Sequence, residues 1–174
     1  RVVILDLDLR RRTLSKSMGQ RNNRRGITSY LSGKISSMED IISPSEQSPN
    51  LVFIYAGPQP PNPAEMLMSQ RVDELIATLR SRYDYIIIDS VPAMAVADAI
   101  IIDRVVDLTV YVIRQGHLAR RQLPDTEGLY REKQFNNMRI ILNSATHSGH
   151  GYGYGYGYYS DNEELGAWQR LMSK

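Results

Sequence analysis

Cysteine is missing from all 174 residues, which excludes disulfides, thiolate zinc sites and cysteine nucleophiles. Long apolar runs are missing too: stretches such as VVILD, YIIID and AIII fall far short of the roughly 20 residues that cross a bilayer. No signal-peptide pattern is visible. A third absence is the phosphate-cradling turn in which a strand leads through a glycine-rich loop into Gly-Lys-Ser/Thr and a helix. LSGKISS at 31–37 offers Gly33-Lys34, but without the earlier glycine or a preceding strand. Residue 1 is not Met and lies inside an apolar strand pattern. The expectation is a piece of a longer protein from which an upstream strand, loop and helix are missing.

What is present has the make-up of one globular domain with a sizeable core, at 42% hydrophobic and 23% charged residues. Net charge is +2, but residues 1–34 hold nine Lys/Arg against Asp6 and Asp8, a local +7 that leaves −5 for the remainder. Such a segment suits phosphate, nucleic acid, anionic lipid or an acidic neighbouring subunit, beside the plainer reading of a solvated basic loop. Near the other end, Tyr152, Tyr154, Tyr156, Tyr158 and Tyr159 are mostly separated by single glycines. Glycine raises the entropic cost of ordering and gives one strand face nothing to pack. A flexible Gly/Tyr-rich tail is therefore expected at 147–174, after an α/β domain at 1–146. His147 and His150 lack further ligands and read as loop residues, and Trp168 and Leu171 read as solvent-facing tail residues.

Runs rich in β-branched residues recur at RVVILDLDL, NLVFIYAG, YDYIIIDS, DLTVYVIR and MRIILNS, and each reads as a buried strand. NPAEMLMSQRVDELIATLRSR sets Met66, Leu67, Val72, Leu75, Ile76 and Leu79 at helical spacing, with Pro63 suited to the first turn. MAVADAIIIDRV and ARRQLPDTEGLYREKQF are weaker helix patterns, the second interrupted by Pro124 and Gly128. Strands alternating with helices predict a doubly wound α/β fold, a mainly parallel sheet with five visible strands and helices on both faces.

Ligands of such sheets bind beyond the carboxyl ends of the strands. Asp6 and Asp8 close the first strand, where the period of two directs both side chains to one face, and Asp89 closes YIIID in the same way. Buried unpaired carboxylates are costly, so three at one sheet end need a cation or basic partners. Mg²⁺ with a phosphate-bearing substrate meets that need, being held by one or two carboxylates, water and phosphate oxygens. Taken singly, each Asp reads better as a helix cap or strand-end turn residue; the three together favour the ligand reading.

Taken in order, these segments resemble the catalytic domain of the bacterial tyrosine kinases of capsular and exopolysaccharide biosynthesis. VVILDLDLR resembles that family's Walker A′ motif, Asp-x-Asp-x-Arg, here Asp6, Asp8 and Arg10. YDYIIIDSVP resembles its Walker B motif with Asp89, although Val91 replaces one proline of the usual Asp-Thr/Ser-Pro-Pro. AGPQPPNPAEMLMSQRVDELI carries a Pro-Pro-Asn-Pro-x-Glu segment similar to the family's, with Pro60, Pro61, Asn62, Pro63 and Glu65. GITSYLSGKISSMEDII resembles the helical segment after Walker A′, VADAIIIDRVVDLTVYVIR the region after Walker B and IILNS the last core strand, and the tyrosine-rich tail falls where the family carries its autophosphorylation cluster.

The resemblance implies a P-loop NTPase-like fold and transfer of the ATP γ-phosphate, between subunits, to Tyr152, Tyr154, Tyr156, Tyr158 and Tyr159. It implies Mg²⁺ held by Asp8 and Asp89, Asp6 orienting or deprotonating the incoming hydroxyl, and Arg10 touching phosphate or anchoring the acidic pair. Asn143 and Arg114 would contact adenine. The division of labour between Asp6 and Asp8 stays open, and Asp98, weighed as a supporting residue, reads as an ordinary helix residue. Implied partners are further copies in a ring-like homo-oligomer, a transmembrane polysaccharide-chain-length regulator, fused or separate, and a tyrosine phosphatase. No nucleic acid is implied, and the setting is the cytoplasmic side of the bacterial inner membrane. Two other readings stay open: a partition-type P-loop ATPase switch, and a noncatalytic pseudokinase or phosphoacceptor module.

Overall fold

All five β-branched runs become strands, as expected where branched side chains pack on a pleated surface. The computed structural model describes residues 1–20, 23–93, 97–135 and 137–145. In chain order its elements are β1 (Val2–Asp6), α1 (Thr13–Ser17), α2 (Ile27–Leu31), β2 (Ile42–Pro44), β3 (Leu51–Ile54), α3 (Pro63–Leu67) and α4 (Gln70–Arg82). Then come β4 (Tyr85–Asp89), α5 (Asp98–Asp103), β5 (Thr109–Arg114), α6 (Leu123–Arg131) and β6 (Met138–Asn143). β2 is a strand the sequence reading missed. It is only three residues long, ends at Pro44 and runs antiparallel along β3, a position where proline's missing N–H is tolerated.

β1 lies between β3 and β4 and is parallel to both, in the order β2-β3-β1-β4. Its Val3 and Leu5 have no exposure and share one core with Ile54 and with Val72, Leu75, Ile76 and Leu79. Those four are the last four of the six stripe residues read from the sequence, and they anchor α4, while Leu67 and Met66 join the same core from α3. The single helix expected over 62–82 is split instead. Ser69 adopts extended backbone (φ −67°, ψ 145°) and separates α3 from α4. Serine favours this entry position because its hydroxyl competes for local backbone partners, and here Ser69 Oγ donates to the Met66 carbonyl. Pro124, by contrast, does not interrupt α6 but sits in its first turn, where no N–H is needed.

β5 and β6 pair in parallel from Thr109↔Met138 to Arg114↔Asn143, as a sheet separate from the other four strands. The free edges of β4 and β5 line a common cleft of about 990 Å³, together with Phe135 and the Asp89-Ser90 corner. The expected cover is thus uneven among the described residues. Tyr85 and Ile87 of β4 and Val110 and Val112 of β5 remain exposed. The tyrosine cluster, His147, His150, Trp168 and Leu171 lie outside the described residues.

α2 is docked by its first amides. Ile27 and Thr28 N–H donate to the Tyr55 and Ala56 carbonyls just past β3, at 2.8 and 2.9 Å, which satisfies helix-start donors that would otherwise be unpaired. Gly26 makes this approach possible, since a Cβ there would lie 2.5 Å from both Gly57 N and Tyr55 O. Gly57 holds a left-handed φ of +81°. Gly26→Ala is therefore expected to destabilise the chain by about 3 kcal/mol, the upper end of ordinary overpacking. Gly128→Ala in α6, where an added Cβ meets nothing within 4 Å, should stabilise it by roughly 0.5–1 kcal/mol. Urea unfolding midpoints measure both, and equal midpoints for the two variants would contradict the steric account.

Candidate active site

Register brings two of the sequence-selected carboxylates together. Asp6 is the last residue of β1 and lies opposite Asp89, the last of β4, so the two occupy one face of adjacent strands. The alternation expected to place Asp8 on that face ends here, because the strand stops at Asp6. One further bond, Leu7 N–H to the Asp89 carbonyl at 2.9 Å, carries the chain past β4 before it turns. Asp8 then builds the turn: its Oδ1 accepts the Arg11 N–H at 2.9 Å and its carbonyl the Arg12 N–H at 2.7 Å. Arg12 completes the bend in left-handed backbone, φ 54° and ψ 47°.

The three carboxylates interact. Burial first, then the charges of Asp6 and Asp8, push the Asp89 carboxyl above its ordinary value. Asp6 has no exposed surface and Asp8 very little. Asp6 Oδ2 accepts two hydrogen bonds from Ser15, from its N–H at 2.8 Å and its hydroxyl at 2.5 Å, whereas Asp6 Oδ1 is buried without a partner among the described residues. Arg12 Nε, Thr28 Oγ1 and Ser90 Oγ are likewise buried and unpaired. Arg12 also donates through Nη1 to the Gly57 carbonyl at 3.0 Å, and Thr28 N–H binds the Ala56 carbonyl. All four unpaired atoms therefore belong to the segments around the carboxyl ends of β1, β3 and β4, where a polar ligand would satisfy them.

Asp98 corrects the sequence reading. Arg10 grips Asp98 with two hydrogen bonds, Nε to Oδ2 at 2.7 Å and Nη2 to Oδ1 at 3.0 Å, and Asp98 is almost wholly buried. Asp98 is thus no ordinary helix residue but the anchor of the loop after β1, and Arg10 spends its fork on it. Eighty-eight positions separate the pair, so no local pattern marks it. Ser15 was missed for the same reason; nothing in TLSKS sets it apart from its neighbours. Arg114 and Asn143 are brought together as a register pair at the ends of β5 and β6, on the second sheet and exposed.

The donor set is all oxygen and suits a hard divalent cation. Among the described residues no three acidic or histidine side chains form a complete metal cage. A cation here would draw its remaining oxygens from water and phosphate, as magnesium ordinarily does.

No family model matches the chain. Over 144 residues it is 35% identical to the tyrosine-protein kinase wzc of Salmonella typhi, a match that spans 83% of the chain and 20% of that protein. The solved kinase domain of the Escherichia coli tyrosine kinase ETK overlays with a TM-score of 0.75 at 30% identity, covering 91% of the chain and 61% of that structure. For the VpsO kinase domain the TM-score is 0.73 at 32% identity, covering 83% of the chain and 70% of that structure. The chain belongs to the bacterial tyrosine kinase family. Its doubly wound, mainly parallel α/β architecture is that of the family's P-loop NTPase-like kinase domains. It spans about one fifth of the length of the wzc relative.

Because the Asp89 pKa is raised, its ionised form opposes folding. That penalty is absent while the carboxyl is protonated and is complete once pH has risen through the folded-state value. Asp89→Asn is thus expected to raise the melting temperature at pH 7 with chelator present, and the gain should vanish as pH falls below the ordinary carboxyl value. Melting curves at several pH values test this. A variant that melts lower than the wild type at pH 7 would contradict the cost assigned to burying an ionised Asp89 beside Asp6 and Asp8.

Proposed function

We propose that the intact protein is an ATP-dependent protein-tyrosine autokinase that phosphorylates its own tyrosine cluster, Tyr152, Tyr154, Tyr156, Tyr158 and Tyr159, between subunits. The observation that carries this reading is the meeting of Asp6 and Asp89 in register, with Asp8 within electrostatic range and Asp6 Oδ1 unpartnered. Phosphoryl transfer asks a protein for positioning and charge neutralisation more than for covalent chemistry. Mg²⁺ supplies neutralisation of the phosphate charge when bound. Asp8 and Asp89 would hold it, directly or through water, which would also offset the burial and the neighbouring charges that raise the Asp89 pKa. Asp6 Oδ1 would receive the hydroxyl of the incoming tyrosine. Arg10 would brace the Asp8 turn through Asp98 rather than reach phosphate, and Arg114 and Asn143 would lie against adenine.

The phosphate-cradling loop that this chemistry requires is not among these 174 residues. The cleft between the free edges of β4 and β5 offers a strand bearing such a loop a place that ends beside Asp89. Glycine between successive tyrosines leaves each phenol unhindered by neighbouring side chains. Each added phosphate brings roughly −1.5 to −2 charges, so crowded tails in a ring-like homo-oligomer would repel one another and favour its disassembly. The further parts of the proposal follow from family membership: control of capsular or exopolysaccharide synthesis and export at the cytoplasmic face of the inner membrane, a transmembrane polysaccharide-chain-length regulator as partner, and a tyrosine phosphatase that resets the tail.

Incubating the full-length protein with Mg²⁺-ATP and mapping phosphate by peptide mass spectrometry tests the core of the proposal. Phosphate on tyrosines within 152–159 is expected in the wild type and should be lost in Asp89→Asn. Nucleotide hydrolysis without any phosphotyrosine would overturn it in favour of an ATPase switch.

A further inference from the structure

We propose that Ser15 is a positioning residue that fixes which oxygen of Asp6 is presented to the reacting group. The functional part rests on the kinase reading above; the positional part does not. A carboxylate is symmetric, and its terminal torsion is broad and two-fold, so an Asp on a rigid strand still leaves the aim of its oxygens unsettled. Ser15 removes that freedom. Its Oγ accepts the Ala56 N–H at 3.0 Å, which commits the single hydroxyl proton to Asp6 Oδ2 at 2.5 Å. The Ser15 N–H adds a second bond to the same oxygen at 2.8 Å. Among the described residues, two donors on Oδ2 and none on Oδ1 make the two oxygens chemically distinct, and the bare one is buried with acceptor capacity to spare.

The placement is particular to this serine. α1 is a single short turn in a basic segment, and Ser15 is its one buried residue, 2% exposed, while Thr13, Lys16 and Ser17 are exposed. Through Ala56 it also joins the end of β1 to the backbone just past β3, so Asp6 is referenced to two strands of the sheet rather than to its own alone. A serine serving only to pack α1 would not need its hydroxyl aimed at a carboxylate already bound by its own N–H.

Crystal structures of Ser15→Ala and Ser15→Thr variants of the full-length protein test the positional claim without reference to activity. Ser15→Ala should show the Asp6 carboxylate rotated or in more than one orientation, and Ser15→Thr should restore the single one. Should Ser15→Ala fail to fold, Ser15→Cys replaces the hydroxyl with a weak donor of similar size. An unchanged Asp6 orientation in both Ala and Cys variants overturns the proposal. In the full-length protein with Mg²⁺-ATP, Ser15→Ala should lower the kcat of tyrosine phosphorylation about 10- to 100-fold, as loss of an orienting partner does, with KM for ATP unchanged and Ser15→Thr rescuing the rate. A changed KM with unchanged kcat, or no rescue by Thr in a folded variant whose Asp6 is correctly placed, would refute the functional half. A wild-type protein that phosphorylates no tyrosine refutes the kinase reading instead, and the Asp6 orientation still decides the role of Ser15.

Discussion

Two carboxylates in register on adjacent parallel strands are the constraint on which the rest of the site depends. Asp6 is sealed from solvent and Asp89 is half-buried, and burial together with the charges of Asp6 and Asp8 opposes ionisation of Asp89 in a setting that screens charge poorly. An apolar sheet could end there at lower cost with any neutral pair. The protein instead satisfies one oxygen of Asp6 twice, leaves the other bare, and opens Asp89 onto a cleft. Unrelieved charge at the carboxyl end of a sheet is costly for folding, and it is also what a cation with phosphate would neutralise.

Three long-range ties keep the loops around those carboxylates in place, and each joins residues far apart in sequence. Ser15 links the end of β1 to the backbone past β3, Arg10 links the Asp8 turn to buried Asp98, and Gly26 lets α2 lie against Gly57. Their chemistries differ, but the consequence is shared: the segments after β1, β3 and β4 are held against one another rather than left as separate loops. Positioning is what phosphoryl transfer asks of a protein, and these ties supply it through backbone and side-chain contacts alone.

How much of this was legible in the sequence follows from the range of each interaction. Strand runs and the stripe Val72, Leu75, Ile76 and Leu79 are written at periods of two and three to four residues, and the strands and the α4 core they foretold are present. Asp6 and Asp89 could be singled out because each ends such a run. The break at Ser69 was not legible, since the apolar spacing continues across it while the backbone does not. β2 escaped notice because three residues ending in proline make no pattern. Asp98 and Ser15 were undervalued for a deeper reason: their importance lies in partners 88 and 9 residues away, and periodicity carries no information about such pairings.

The division of the strands into two sheets bears directly on the chemistry. β4 and β5 each present a free edge to the same cleft, with Tyr85, Ile87, Val110 and Val112 exposed nearby. Unpaired edges flanked by apolar side chains are a liability that native sheets cover or fill. A segment that paired with both edges in the parallel sense would join the two sheets and bring its own carboxyl end level with Asp89. The residues that follow it would then emerge beside Asp89 and Ser90, whose hydroxyl has no partner among the described residues. Completing the sheet and completing the site are, on this geometry, a single event, because the position that repairs the exposed edges is also the one that brings new donors to the unrelieved carboxylates.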